Sequence, residues 1–129
     1  MNDIFDKIIA KEIPAQFVYE DDVCVVIMDK FPTTRGQVLV IPRTCVDYYF
    51  DLDDETLVHL LAITKRVAKA LDVTYETLRT CVLIEGFEVP HVHIKLFPVT
   101  VPGFHIHGGE ETSDEALILE AEKIKKALG

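Results

Sequence analysis

The chain has 129 residues, 49% hydrophobic and 27% charged, which predicts one domain with a sizeable core. Its net charge of −9 excludes a broad surface for nucleic-acid polymers, so a small anionic ligand would need locally placed positive groups. The three cysteines form no Cys-x-x-Cys pair. No apolar run approaches the ~20 residues of a membrane span, and the acidic N-terminus lacks the apolar core of a signal peptide. We therefore predict a reduced cytoplasmic protein with no membrane partner.

The first 42 residues predict a short helix followed by three strands. Phe5, Ile8 and Ile9 recur at helical spacing, and Ile13-Pro14 ends that helix. Apolar and β-branched runs predict strands over residues 16–20, 23–28 and 38–41. A turn at residues 21–22 and a Pro- and Gly-containing loop at residues 31–36 separate the strands.

The rest of the chain predicts two helices and a hairpin. Asp53 or Asp54 caps one long helix, whose apolar stripe extends to Leu71. Strands over residues 80–84 and 89–97 then form an antiparallel hairpin around a turn at residues 85–87. After a loop, Ser113 opens a last helix over Asp114–Leu128.

This order of elements predicts an α+β fold in which an antiparallel sheet of about five strands packs on one long helix. We expect a single domain over residues 1–129, with a core at 1–98 and a C-terminal loop and helix at 99–129. Several strands with few helices leave sheet edges to protect. A homodimer that continues the sheet or packs the long helices would protect them.

The segment Val89–Phe97 carries the most chemistry, because His91, His93 and Lys95 alternate with apolar residues. Alternate side chains of a strand share one face and lie roughly 6.6 Å apart, since the rise is about 3.3 Å per residue. All three can therefore meet one phosphate. A neutral imidazole is a nucleophile near pH 7, and an ammonium stabilises negative charge on a phosphoryl group.

These residues and their surroundings resemble the histidine triad (HIT) family of nucleotide hydrolases and transferases. The family motif alternates three histidines with apolar residues, and here it reads His91-Val92-His93-Ile94-Lys95-Leu96-Phe97. The third histidine is replaced by lysine. Further matching stretches extend over nearly the whole chain: residues 4–9, 13–15, 19–22, 28–29, 36, 39–42 and 50–54.

The resemblance implies that His93 attacks the α-phosphorus of a nucleotide derivative and forms a covalent nucleotidyl-histidine. It implies that His91 orients the nucleophile and the phosphate, and that Lys95 holds the phosphate. Expected substrates are nucleoside phosphoramidates or dinucleoside polyphosphates, and the expected partner is a purine nucleotide or a related conjugate. No cofactor is expected, since positive side chains can activate the phosphoryl group. Lysine is a poor general acid at pH 7, so we expect an altered rate or leaving-group preference.

The resemblance also assigns a nucleotide pocket. Asp29 matches the acid that accepts bonds from the ribose hydroxyls. Apolar residues match the wall around the base: Phe5, Ile8, Ile27 and Met28. Gln37 stands where family members often place a histidine and is expected to help hold the phosphate. Phe87 cannot replace a side-chain amide that touches the phosphate or leaving group, and Glu88 is expected in the nucleotide site.

Departures from the motif leave two other functions open. Gln37, Phe87 and Lys95 together motivate a nucleotide-binding regulator with little or no turnover. A second His-x-His, His105 and His107, motivates a metal-binding protein that uses both His-x-His pairs. Alternatively, the C-terminal loop folds over the site of its own or of the partner subunit and supplies the imidazole missing at position 95.

A metal site known from many bacterial members is not expected. Their Cys-x-x-Cys is replaced by Asp3 and Asp6, and Cys45 stands where another ligand is often histidine. We therefore predict no structural zinc.

Overall fold

A computed structural model describes residues 3–129 of the protein. It contains three α-helices: α1 (Ile4–Ile9), α2 (Asp54–Tyr75) and α3 (Asp114–Leu128). It contains five strands: β1 (Phe17–Glu20), β2 (Cys24–Met28), β3 (Val38–Pro42), β4 (Arg79–Leu83) and β5 (Ile94–Val99). A single 3₁₀ turn over Tyr49–Asp51 precedes α2. None of the helices within residues 3–129 is both long and apolar enough to cross a bilayer.

The strands form one antiparallel sheet in the order β1-β2-β3-β5-β4, which confirms the predicted α+β fold. β5 is therefore interior, and β4 is an edge strand. The predicted hairpin of β4 and β5 is present, with Cys81 opposite Phe97 and Leu83 opposite Lys95.

Alternation along the strands produces two apolar layers. Val26, Val40 and Leu96 face the layer that contains the buried stripes of α2 and α3. Ile27 and Leu39 face the opposite layer, where they pack with α1. The second layer is thin, since only one short helix covers it, and it leaves room for a cavity.

The starts of α2 and α3 follow their predicted caps. Asp53 caps α2 by accepting a hydrogen bond from the backbone N–H of Thr56 at 3.1 Å, and Ser113 caps α3 through Ala116. At α1, Asp3 accepts from the N–H of Asp6 at 2.8 Å, and the Asp6 side chain accepts from the N–H of Asp3. This reciprocal pair is a capping box, and it fixes both carboxylates in place.

One predicted strand boundary is wrong, because β5 begins at Ile94 rather than at Val89. Pro90 has no N–H to donate to a sheet, and the chain turns tightly there, with the N–H of His91 bonded to the carbonyl of Val89 at 2.8 Å. The next N–H, of Val92, bonds to Val46 in a loop instead of to a strand. His91 and His93 therefore precede the strand, although the predicted alternation of side chains continues through them.

Candidate active site

A cavity of about 440 Å³ opens on the sheet face that α1 covers. Its walls contain most of the predicted nucleotide-binding residues: Phe5, Ile8, Ile27, Met28, Asp29, Gln37 and Glu88. His93 and Lys95 also line it, but His91 does not. Further lining residues come from α1 and the segment after it, from β3 and from the C-terminal loop: Ile4, Ile13, Pro14, Ala15, Leu39 and residues 106–109.

His93 is held in one orientation at the cavity wall. Its Nδ1–H donates to the backbone carbonyl of His91 at 2.8 Å, and its ring lies 4.9 Å from the ring of Phe5, centroid to centroid. A carbonyl can only accept, so the proton is on Nδ1 and the lone pair is on Nε2. Burial lowers the pKa of His93; the bond to the His91 carbonyl opposes this shift, and the charge of Lys95 adds to it. His93 is therefore a neutral imidazole whose Nε2 has no hydrogen-bond partner among residues 3–129.

His91 is completely buried and lies outside the cavity. Its Nδ1 is 3.1 Å from an oxygen of Asp3, and its Nε2 is 2.8 Å from the carbonyl oxygen of Pro42. Both ring nitrogens are thus used inside the protein. His91 orients His93 through its backbone carbonyl, while its imidazole ties α1 to the end of β3.

Asp3, Asp6, Cys45 and His91 bring four ligand atoms within 4.8 Å of one another. In composition this set suits a divalent metal ion, and these four residues would hold it. These atoms already contact one another, since Asp3 accepts from the thiol of Cys45 at 3.4 Å and from the N–H of Asp6 at 2.8 Å, and it lies 3.1 Å from Nδ1 of His91. Burial and the bond to Asp3 raise the pKa of Cys45 to about 11, so metal binding would have to remove a firmly held proton. Absence of zinc remains our prediction.

Lys95 reaches the cavity from β5 as a nearly buried ammonium. Its Nζ lies 3.3 Å from Oε1 of Glu85, and the same oxygen lies 2.8 Å from Nε2 of His107. The hydrogen bond with His107 lowers the pKa of Glu85, burial opposes this, and the bond and charge of Lys95 lower it further. The ion pair leaves Lys95 two N–H groups for a phosphate.

Gln37 and Asp29 are linked at the cavity edge. Nε2 of Gln37 donates to Asp29 at 2.7 Å, and Oε1 of Gln37 accepts from the N–H of Thr33 at 2.8 Å. The other oxygen of Asp29 accepts from the N–H of Phe31 at 2.9 Å. Gln37 therefore positions Asp29 and its loop, and each carboxylate oxygen of Asp29 keeps capacity for a hydroxyl donor.

The remaining predicted residues divide between two cavities. Glu88 lines the first cavity, whereas Phe87 is 90% exposed and lines a neighbouring cavity with Tyr48 and Phe50. His93 lines both cavities and so lies between them. The C-terminal loop reaches the site through Ile106 and His107, a contact that the second His-x-His had suggested. Ile4, Ile13 and Leu39 also line the cavity, but the sequence could not predict this because apolar side chains look the same whether they line a pocket or fill the core.

The two His-x-His pairs do not combine into one metal site. Within the described residues, each group of possible metal ligands contains a single histidine, and none contains His93. His107 groups with Glu85 and Glu88, and His91 groups with the acids of α1.

A sequence profile of the HIT domain matches residues 10–101. The chain belongs to the HIT family. An uncharacterized HIT-like protein of Borreliella burgdorferi is 32% identical over 130 residues, covering 95% of this chain and 91% of that protein. The adenosine 5'-monophosphoramidase HNT1 of Saccharomyces cerevisiae is 38% identical over 96 residues, covering 74% of this chain and 61% of that enzyme.

Solved structures agree with the family assignment. The crystal structure of a Hit-like protein from Bartonella henselae, described as involved in cell-cycle regulation, matches with a TM-score of 0.90 and 32% identity over 98% of this chain and 96% of that chain. The Bartonella henselae protein therefore has the same fold over nearly the whole of this chain.

Proposed function

We propose that this HIT protein is a nucleotidyl hydrolase or transferase that acts at the α-phosphate through a covalent intermediate on His93. The observation that carries the proposal is the state of His93: it is neutral, its ring is fixed through Nδ1, and it lines the cavity. Nucleophilic catalysis requires a neutral imidazole with an unprotonated nitrogen at a ligand cavity.

The rest of the cavity suits a nucleoside monophosphate group. Asp29 accepts the ribose hydroxyls, and the base lies among Phe5, Ile8 and Ile27. Lys95 stabilises the negative charge on the phosphoryl oxygens. These positive and polar side chains activate the phosphate without a cofactor.

Phosphoramidates of adenosine are the first substrates to test, because two relatives are named adenosine 5'-monophosphoramidases. We expect the wild-type protein to release AMP from adenosine 5'-phosphoramidate and His93→Ala to release none. Gln37→Glu and Lys95→His serve as site variants, and we expect Lys95→His to raise hydrolysis. Equal rates for wild type and His93→Ala would refute the proposal.

The ion pair of Lys95 with Glu85 favours a second function, a nucleotide-binding regulator with little turnover. A lysine bound to a carboxylate offers less charge to a developing transition state than a free one. Calorimetry with AMP separates the two functions: binding with no product release supports the regulator, and no binding refutes both.

We further propose that the protein works in the cytoplasm as a homodimer. β4 is an edge strand, and apolar side chains on it and on α2 are exposed, including Val82 at 49% and Val73 at 74%. A second copy that continues the sheet at β4 would cover both. Light scattering tests this, and a strict monomer at assay concentrations would reject it.

A further inference from the structure

Residues 104–109 form a strap along one side of the cavity. Its first residue, Phe104, packs on the buried ring of Phe97 with the ring centroids 5.2 Å apart. Its last residue, Gly109, lies so close to the carbonyl of Phe31 that no side chain would fit there. Just beyond the strap, the N–H of Thr112 bonds to the carbonyl of Lys30 at 2.9 Å. The strap is therefore anchored at both ends, and its middle lies along the cavity.

The strap presents its two histidines differently. His107 lines the cavity, and its Nε2 pairs with Glu85 at 2.8 Å. His105 is exposed and is not among the cavity-lining residues. The carboxylate of Glu85 is also the partner of Lys95, so one oxygen atom fixes the side chains of Lys95 and His107 beside the site.

The reaction at His93 needs a group that can both donate and accept a proton. An amine leaving group must be protonated as its bond to phosphorus breaks, and lysine is a poor donor at neutral pH. Carboxylic acids in general have pKa values of about 4 and are therefore poor proton donors at that pH. The carboxylic acids that line the cavity are Asp29 and Glu88. Among the described residues of the cavity wall, His107 is the imidazole that remains once His93 acts as the nucleophile.

We propose that His107 is the proton donor to the leaving group, and that Glu85, itself paired with Lys95, is the residue that positions it. This inference rests on the proposed function. Nε2–H of His107 stays bonded to Glu85, so Nδ1 is the atom that exchanges protons. With 55% of its side chain exposed, His107 can also exchange protons with water.

The two half-reactions balance as follows. Nε2 of His93 forms a bond to the α-phosphorus while the bond from phosphorus to the leaving nitrogen breaks, and that nitrogen takes the proton from Nδ1 of His107. A water molecule then forms a bond to phosphorus and gives a proton back to Nδ1 of His107. The bond from phosphorus to Nε2 breaks, and His93 regains its lone pair. One water is consumed, and AMP and a free amine are released.

Two substrates and two matched variants test the proposal. Adenosine 5'-phosphoramidate has a leaving group that needs a proton, and the p-nitrophenyl ester of AMP has one that does not. His107→Gln removes the proton donor, and His105→Gln makes the same change elsewhere on the strap. For His107→Gln we expect kcat on the phosphoramidate to fall about 10²- to 10⁴-fold, and the first step on the ester to change less than about threefold.

The covalent intermediate gives a second readout. Because His107 also accepts the proton from water, His107→Gln should accumulate the nucleotidyl adduct with the ester and lose it about 10²-fold more slowly than wild type. His105→Gln should match wild type in every assay. A purely structural role for His107 would not lengthen the life of the adduct.

Three results would overturn the proposal. The first is an equal loss of rate on both substrates for His107→Gln, and the second is no loss on either. The third is an equal effect of His105→Gln. An adduct on the wild-type protein together with any of these would overturn the role of His107 alone, whereas no adduct on the wild-type protein would overturn the proposed function as well.

Discussion

The contact between Asp3 and His91 should contribute measurably to stability, because it joins a carboxylate to a completely buried imidazole across 88 positions of the chain. A hydrogen bond to a charged group contributes about 1.5–3 kcal/mol. Asp3 also caps α1, so its replacement by alanine would mix two effects. Asp3→Ser keeps a residue that caps helices well, but its shorter, uncharged side chain loses the contact with His91.

We expect Asp3→Ser to lower the free energy of unfolding by about 2 kcal/mol. His91→Ala should cost about 3–5 kcal/mol, since it leaves a buried carboxylate without its partner. In the His91→Ala background, Asp3→Ser should cost less than about 0.5 kcal/mol, because the contact is already lost. Urea unfolding of the four proteins at pH 7 with EDTA measures these values.

The pH dependence gives an independent check. Burial raises the pKa of Asp3, but the bonds from Asp6, Cys45 and His91 together hold it below the ordinary value of 3.8. The contribution of Asp3 is therefore fully present above pH 3.8 and is lost as the pH falls through the lower pKa of the folded state. An equal cost of Asp3→Ser in both backgrounds, or no cost in the wild-type background, would refute the reasoning.

Three other predictions concern the site. Gln37→Leu removes the hydrogen bonds to Asp29 and Thr33 and should weaken AMP binding about tenfold, equal to about 1.4 kcal/mol, with little change in fold. Calorimetry on the variant and the wild-type protein measures the affinity, and an unchanged affinity would contradict this prediction. Lys95→Met removes a charge that, together with burial, lowers the pKa of His93. The rate of adduct formation should therefore begin to fall at a higher pH on acidification than it does in the wild-type protein. An unchanged or lower pH for this fall would show that the charge of Lys95 does not act on His93. The purified protein should contain no stoichiometric zinc, and EDTA should not change its unfolding; elemental analysis that finds one zinc per chain would instead assign it to Asp3, Asp6, Cys45 and His91.

Local patterns in the sequence predicted the elements and their order well. Caps at Asp53 and Ser113, β-branched strand runs and the apolar stripe of α2 all act within a few residues of one another. The alternation of Val92, Ile94 and Leu96 against His93 and Lys95 also depends only on backbone geometry. The wrong start of β5 has a local cause as well, the turn at Pro90.

What the sequence could not supply were contacts that depend on how distant segments meet. No residue near His91 in the sequence indicates that its two ring nitrogens will meet Asp3 at the start of α1 and Pro42 at the end of β3, so its burial away from the cavity was not predicted. Gln37 looked like a phosphate ligand, but neighbouring backbone groups occupy its side chain. The strap was foreseen only as one possibility, since its path depends on the anchors at Phe97 and Phe31.

The central claim is that His93 is a nucleophile, and intact-protein mass spectrometry tests it most directly. The wild-type protein and His93→Ala are incubated briefly with the p-nitrophenyl ester of AMP and quenched. The account predicts an added mass of one adenylyl group on the wild-type protein and none on His93→Ala. An adduct of equal extent on both proteins, or none on the wild-type protein while the ester is cleaved, would contradict it.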